Sequence, residues 1–188
     1  MIPRGSALRY LGFAAVVDRG INADGSEPRG TVYLVRTKDV ARNVGATGYA
    51  EAEALLSFRL RIIEVETPVK ALLVDILVCF TGDGRVEELS KLSFRPGAAA
   101  DHLTYAGGQL EGSSQMSALE WLRQGATASY GSVSEPCKGL GKFPSPAVFL
   151  DHYRRGDALL VAYWQSVAMP GQGLFIGESL SRPYGTLQ

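Results

Sequence analysis

Apolar residues recur at Leu8, Leu11, Ala15 and Val16, a spacing that predicts a helix over 8–20 with Gly20 as its stop. Turn-forming residues fill 22–30, and the β-branched, apolar run at 31–36 then reads as a strand. An Ala- and Glu-rich stretch at 48–56 predicts a helix. The roughly alternating stretch 59–66 suits a strand near a sheet edge. The nearly continuous apolar run 74–81, closed by Gly82-Asp83-Gly84, has the pattern of a central strand buried on both faces.

The second half continues the rhythm. A short helical pattern covers 86–92, and 96–108 is a small-residue segment, strand or loop, suited to close backbone contact. Met116, Leu119 and Leu122 predict a helix over 114–124, with Gly125 just beyond it. A strand is expected at 126–133, helices at 146–155 and 158–167 parted by Gly156-Asp157, and a last strand at 173–177. Strands alternating with helices predict one three-layer α/β/α domain around a mostly parallel sheet.

Composition agrees with a single folded domain. The chain has 188 residues, 46% hydrophobic and 20% charged, which is too apolar for disorder. Nineteen basic residues balance nineteen acidic ones, so nothing supplies the basic excess that phosphate-backbone binding uses, and no nucleic-acid partner is expected. The 22 glycines and 9 prolines imply many tight connections. Gly82, Gly84, Gly97, Gly107, Gly108 and Gly131 fall at or beside the expected strand ends. No apolar stretch approaches the roughly 20 residues of a membrane span, so a soluble chain without a membrane partner is expected. The N-terminus lacks the apolar core of a signal peptide, and Met1–Ser6 resembles a thrombin-cleavage remnant.

Working residues in open α/β sheets gather at the carboxyl ends of strands. Three loops qualify: 81–84, 101–104 and 132–138. If their strands are neighbours, Asp83, Asp101, His102, Thr104, Glu135 and Cys137 meet around one crevice. His102 is one of two histidines and the candidate general base; the competing reading is a structural hydrogen bond in a tight loop. His152, on a helix, is read as facing solvent or capping that helix. Cys137 beside Lys138 is a candidate nucleophile with a cation to lower its pKa, or else a gap-filling loop residue. Cys79, inside an apolar run, reads as a buried free thiol. Asp101, His102 and Glu135 have metal-ligand chemistry but no ligand spacing, so neither metal nor cofactor is expected. Gly82-Asp83-Gly84 and the run 139–142 resemble phosphate loops only faintly and read as turns. Gly82, Asp83, Glu135 and Lys138 are the binding candidates. Tyr163 and Trp164 read as core or interface.

Long stretches of the chain resemble a bacterial family of uncharacterised proteins. They include 18–25, 28–34, Pro96-Gly-Ala-Ala-Ala-Asp-His-Leu-Thr104, 115–122, 125–131, 135–137, 142–144, 162–167 and 170–173, covering nearly everything from Val17 onward. Members of that family are usually longer, so the resemblance implies a carboxyl-terminal portion lacking an upstream segment. More remotely, the order of elements resembles the caspase- and gingipain-type peptidase fold, in which one strand ends in His-Gly and the next in a nucleophilic Cys. Here the run 74–81 ends Thr81-Gly82, and the segment 98–104 carries Asp101-His102, so both dyad members are absent. The resemblance implies a caspase-like or flavodoxin-like three-layer sheet, incomplete relative to longer relatives.

Two functions are therefore expected to compete. One is a catalytically silent module on a caspase-like scaffold that binds a small molecule or a protein. The other is a hydrolase rebuilt around Asp101 and His102, with Thr104, Cys137 or a water as nucleophile. An open sheet edge, or the helix bearing Tyr163 and Trp164, is expected to pair two copies into a dimer.

Overall fold

The computed structural model describes residues 4–66, 73–134 and 139–186, and side chains from Gly12 onward. In chain order the elements are α1 (Arg4–Ala23), β1 (Thr31–Arg36), α2 (Tyr49–Leu56), β2 (Arg61–Glu66), β3 (Ile76–Thr81) and β4 (Phe94–His102). They continue with α3 (Leu119–Gln124), β5 (Ala128–Ser132), α4 (Pro146–Arg155), α5 (Leu159–Ser166) and β6 (Gly173–Gly177). The strands form one six-stranded sheet in the order β2-β1-β3-β4-β5-β6. The first five are parallel and β6 runs antiparallel on the edge. Helices cover both faces, which gives the expected three-layer, mostly parallel α/β arrangement.

Burial follows the strand period. Alternate residues Val32, Leu34, Val78, Phe80, Ala99 and Tyr130 face a core closed by α2, α4 and α5, with Phe149, Tyr153 and Tyr163 among its fully buried rings. The intervening residues Tyr33, Val35, Cys79 and Ala100 face a second core that contains Met116 and Trp121. Every residue of β3 is buried, because both its neighbours are strands and both its faces are covered. Edge strand β2 is half-exposed along most of its length. Cys79 is a buried free thiol whose pKa burial pushes up to about 12.

Several local expectations need correction. The helical pattern over 86–92 yields only a 3₁₀ turn, Leu89–Lys91. The helix expected over 114–124 starts only at Leu119. The preceding residues are tied elsewhere: the Gln115 amide oxygen accepts from the Thr104 hydroxyl and from the Ala106 N–H, and Ala118 N–H bonds the Gly107 carbonyl. Gly97 sits inside β4 rather than beside a strand end. Its φ of +81° forms an irregularity where the β3–β4 register jumps from Ile76↔Phe94 to Val78↔Ala99. Of the pair 163–164, Tyr163 is core and only Trp164 is exposed.

The loop after β4 lies against β5 through glycines. Gly108 N–H bonds the Ser132 carbonyl, and a Cβ on Gly131 would stand 2.3 Å from the Gly108 nitrogen and 2.4 Å from the Gly107 carbonyl carbon. Both atoms belong to backbone, so no side chain can swing away to make room. Gly131→Ala is expected to lower stability by about 2–3 kcal/mol, the upper end of overpacking penalties. A urea titration reads this as a fall in the unfolding midpoint; an unchanged midpoint would show that the loop stands off the strand.

Candidate functional site

The strand order decides where a crevice opens. From β1 the chain goes outward to β2 on one side, then returns to β3 and moves outward on the other. The connections leaving β1 and β3 therefore part company at the carboxyl edge between those two strands, the place where open α/β sheets hold ligands. A cleft lies at that edge, with an empty volume of about 380 Å³ including open solvent at its mouth. Arg42, Gly45 and Tyr49 reach it from the connection after β1, Thr81 and Gly82 from the end of β3, and Asp101, His102 and Leu103 from the end of β4. Tyr130, Phe143, Pro144 and Pro146 complete the wall. The Tyr49 hydroxyl donates to the Phe80 carbonyl at 3.2 Å, which holds that ring upright at the end of β3.

Asp101 and His102 are consecutive residues of β4, so the pleat sends them to opposite faces of the sheet. Asp101 follows the parity of Ala99 into the layer of α4 and α5, and His102 follows Ala100 toward Trp121. The two meet different partners and form no pair.

His102 is buried, and both ring nitrogens are engaged. The Trp121 indole N–H donates to Nδ1 at 2.9 Å, which leaves the proton on Nε2 to be donated to the Met116 carbonyl at 2.9 Å. Burial pushes the imidazole pKa down to about 4, with the charges of Arg85 and Arg42 adding to the effect and the Met116 carbonyl opposing it. Thr104 is fully buried, with its hydroxyl given to Gln115. The imidazole and this hydroxyl staple the loop after β4 onto the sheet.

Asp101 is 5% exposed, and both carboxylate oxygens have partners. Its Oδ1 accepts from the Tyr130 N–H at 2.7 Å and the Ser129 hydroxyl at 3.1 Å, spanning β4 and β5 beyond their one backbone pairing at Ala99↔Ala128. Its Oδ2 and the Tyr163 hydroxyl are both buried, and among the described residues neither has a partner other than the other. They partner each other: the Tyr163 hydroxyl donates to the Asp101 carboxylate, and this hydrogen bond shifts the proton affinity of both groups. Burial raises the Asp101 pKa to about 7 against the opposing pull of Tyr130, Tyr163 and Ser129. The Tyr163 phenol is pushed well above its ordinary range, so it keeps its proton.

Gly82 lines the cleft and Asp83 follows it after the end of β3. Asp83 is half-buried; burial raises its pKa and Asp39 and Glu87 raise it further, while Thr81 and Arg42 oppose. Its backbone N–H bonds the Thr81 hydroxyl at 3.2 Å. Gly82 is pressed against the Arg42 carbonyl and the Asn43 side chain. The Arg42 guanidinium pairs with Asp39 and stands over the Tyr105 ring, with its centre 6.0 Å from the ring centroid. Glu135, Cys137 and Lys138 lie outside the described residues, so the structure speaks neither to a His102–Cys137 pairing nor to an Asp101–His102–Glu135 ligand set. Among the described residues no group of three or more His, Cys, Asp or Glu is placed to hold a metal ion. His152 Nδ1 bonds Asp157 just past the end of α4, toward the opposite end of that helix from the cleft-lining Pro146.

Sequence reasoning missed Arg42, Gly45, Tyr49, Phe143, Pro144 and Pro146. The first three carried a usable signal, since they follow a strand whose carboxyl end faces the same edge as those of β3 and β4. The last three reach the cleft only because α4 packs beside α2.

No protein-family model, no curated protein and no solved structure matches the chain. No helix among the described residues is long and apolar enough to cross a membrane.

Burial moves the two pKa values in opposite directions, and each sets a pH window. His102, depressed from 6.5 to about 4, adds stability that is complete above pH 6.5 and lost as pH falls through 4. Asp101, raised from 3.8 to about 7, adds stability that is present below pH 3.8 and lost as pH rises through 7. Each effect is of order 3 kcal/mol and the windows overlap, so the wild-type profile between pH 4 and 6.5 is expected to be nearly flat. Asp101→Asn should unmask stability that climbs with pH across that range, and His102→Gln stability that declines. Denaturant melts at half-unit pH steps check both; parallel profiles for the two variants would contradict the assignment.

Proposed function

We propose that the protein is a binding module whose ligand sits in the cleft at the carboxyl ends of β1, β3 and β4. The observation that carries this reading is the cleft itself, a mainly apolar crevice at the strand ends into whose wall the polar residues Thr81, Asp101 and His102 are set. A few polar groups in an apolar crevice are the ordinary make-up of a small-molecule site. The commitment of His102 on both nitrogens weighs on the same side, because a general base needs a lone pair within reach of the proton it takes.

We also read the scaffold as caspase-like. The strands ending Thr81-Gly82 and Asp101-His102 are parallel neighbours with Thr81 opposite His102 in register, the adjacency which that resemblance requires of its two dyad positions. The order of the first five strands is equally that of flavodoxin-like sheets, and either scaffold serves binding as well as catalysis. The rebuilt hydrolase is the reading this proposal displaces. In it, His102 would have to surrender its bond to Trp121 or to Met116 before it could act.

A fluorophosphonate probe and a thiol-alkylating probe on the intact protein separate the two readings. Neither is expected to label Thr104 or Cys137 in a manner that depends on His102. Labelling of either residue that disappears in His102→Ala would establish the hydrolase instead.

Pairing of two copies belongs to the same proposal, supported by Trp164 at 52% exposure and Val161 at 40% on α5. A light-scattering mass near twice 20.2 kDa is expected at high concentration, and Trp164→Ala should lower it. A mass that stays at 20.2 kDa would refute it.

A further inference from the structure

We propose that the outer edge of β6 is the seam of a dimer. There β6 of a second copy adds antiparallel about a two-fold axis at Phe175 and joins two six-stranded sheets into one. The proposal rests on the reading above that two copies pair, and it adds the strand edge that makes the contact.

The two edges of the sheet differ in chemistry. A strand edge leaves a row of backbone N–H and C=O groups open to another chain, and proteins guard such rows with charges, prolines or a covering segment. At one end of the sheet, β2 carries Arg61, Glu64 and Glu66 among its six residues. At the other end, β6 is Gly173-Leu-Phe-Ile-Gly177, with neither a charge nor a proline. It pairs with β5 on one side and, among the described residues, with no strand on the other. Its Leu174 is 41% exposed. An apolar edge without these guards invites a strand, so its composition fits an edge that is covered.

The sequence of β6 also selects the occupant. Closed two-fold pairing sets one surface against its own copy, and opposed residues in an antiparallel ladder share a face of the sheet. Around Phe175 the strand reads nearly alike in both directions. Phe175 therefore stands opposite Phe175, Leu174 opposite Ile176, and Gly173 opposite Gly177. Large apolar side chains meet each other, which is the favourable kind of cross-strand pair. One step beyond the glycines, Gln172 would face Glu178, so no like charges oppose each other along the seam.

The helix over the seam agrees. The Tyr163 ring of α5 meets the Phe175 ring edge-on, with centroids 5.6 Å apart, and the Leu160 N–H bonds the Ser179 carbonyl at 3.2 Å just past β6. A two-fold axis normal to the sheet keeps α5 of both copies on one face. The exposed Val161 and Trp164 of that helix then belong to the same contact as the strand edge.

Sedimentation equilibrium and backbone hydrogen exchange on the full chain test the seam. When the solution is concentrated enough to pair, exchange at the outward amides of β6 is expected to slow at least tenfold, while that of β2 holds. Leu174→Lys puts a charge into the seam at an exposed position and should weaken the dimer at least tenfold without changing the far-ultraviolet circular dichroism. An equimolar mixture of Leu174→Cys and Ile176→Cys chains, each also carrying Cys137→Ser, should form disulfides between unlike chains at least tenfold faster than between like ones. A dimer that survives Leu174→Lys, leaves β6 exchange unchanged or shows no preference for unlike chains overturns the seam, and pairing through α5 alone then stands. A mass that stays at 20.2 kDa removes both. Should Leu174→Lys fail to fold, wild-type exchange decides: slowing at β6 supports the seam, and slowing only elsewhere overturns it.

Discussion

Two neighbouring side chains at the end of β4 leave the backbone in opposite directions, and each is buried where it lands. That consequence of the pleat organises the working edge of the molecule. Toward one face, His102 receives the Trp121 indole proton and donates to the Met116 carbonyl, which pins the loop after β4 and the start of α3 to the sheet. Toward the other, Asp101 reaches across to the Tyr130 N–H and bridges two strands where their backbones no longer pair. One residue builds the wall and the other furnishes the floor. Moving β4 by one register step would exchange their environments and lose both.

The two residues also pull on stability in opposite senses. A buried imidazole resists its proton and a buried carboxyl holds on to one, so acid weakens the first arrangement and favours the second. Their coexistence at one strand end lets the sheet keep a titrating carboxyl near neutrality without a steep overall dependence on pH. His102 and Thr104 spend their hydrogen bonds on the loop after β4, whereas Asp101 spends its own on β5 and on Tyr163 of α5.

The elements themselves were largely legible along the chain. The apolar run ending at Thr81 could only be a strand covered on both faces, and the half-apolar stretch before Glu66 suited an edge. Where reading failed, a longer-range bond had outbid a local preference. The helical spacing of Met116, Leu119 and Leu122 is real, but Gln115 and Ala118 give their hydrogen bonds to the loop after β4, so the helix starts late. Of the candidate site, the loops after β3 and β4 were recognisable as strand ends. Phe143, Pro144 and Pro146, at and just before the start of α4, were not, because nothing in their local pattern states which strand end they will face.

By itself, then, the order of residues determined the period of each element, the three-layer class of the domain and the burial of Cys79, since these depend on spacing and hydrophobicity over a few turns of chain. Strand order lay beyond it, and with strand order the position of the cleft between β1 and β3. Tertiary structure alone decided that His102 fastens the loop after β4 and that Asp101 bridges β4 and β5 from the other face of the sheet. Two adjacent polar residues look alike in a sequence. Their chemistry diverges only when the pleat has assigned each a face and packing has set beside it a donor, an acceptor or nothing.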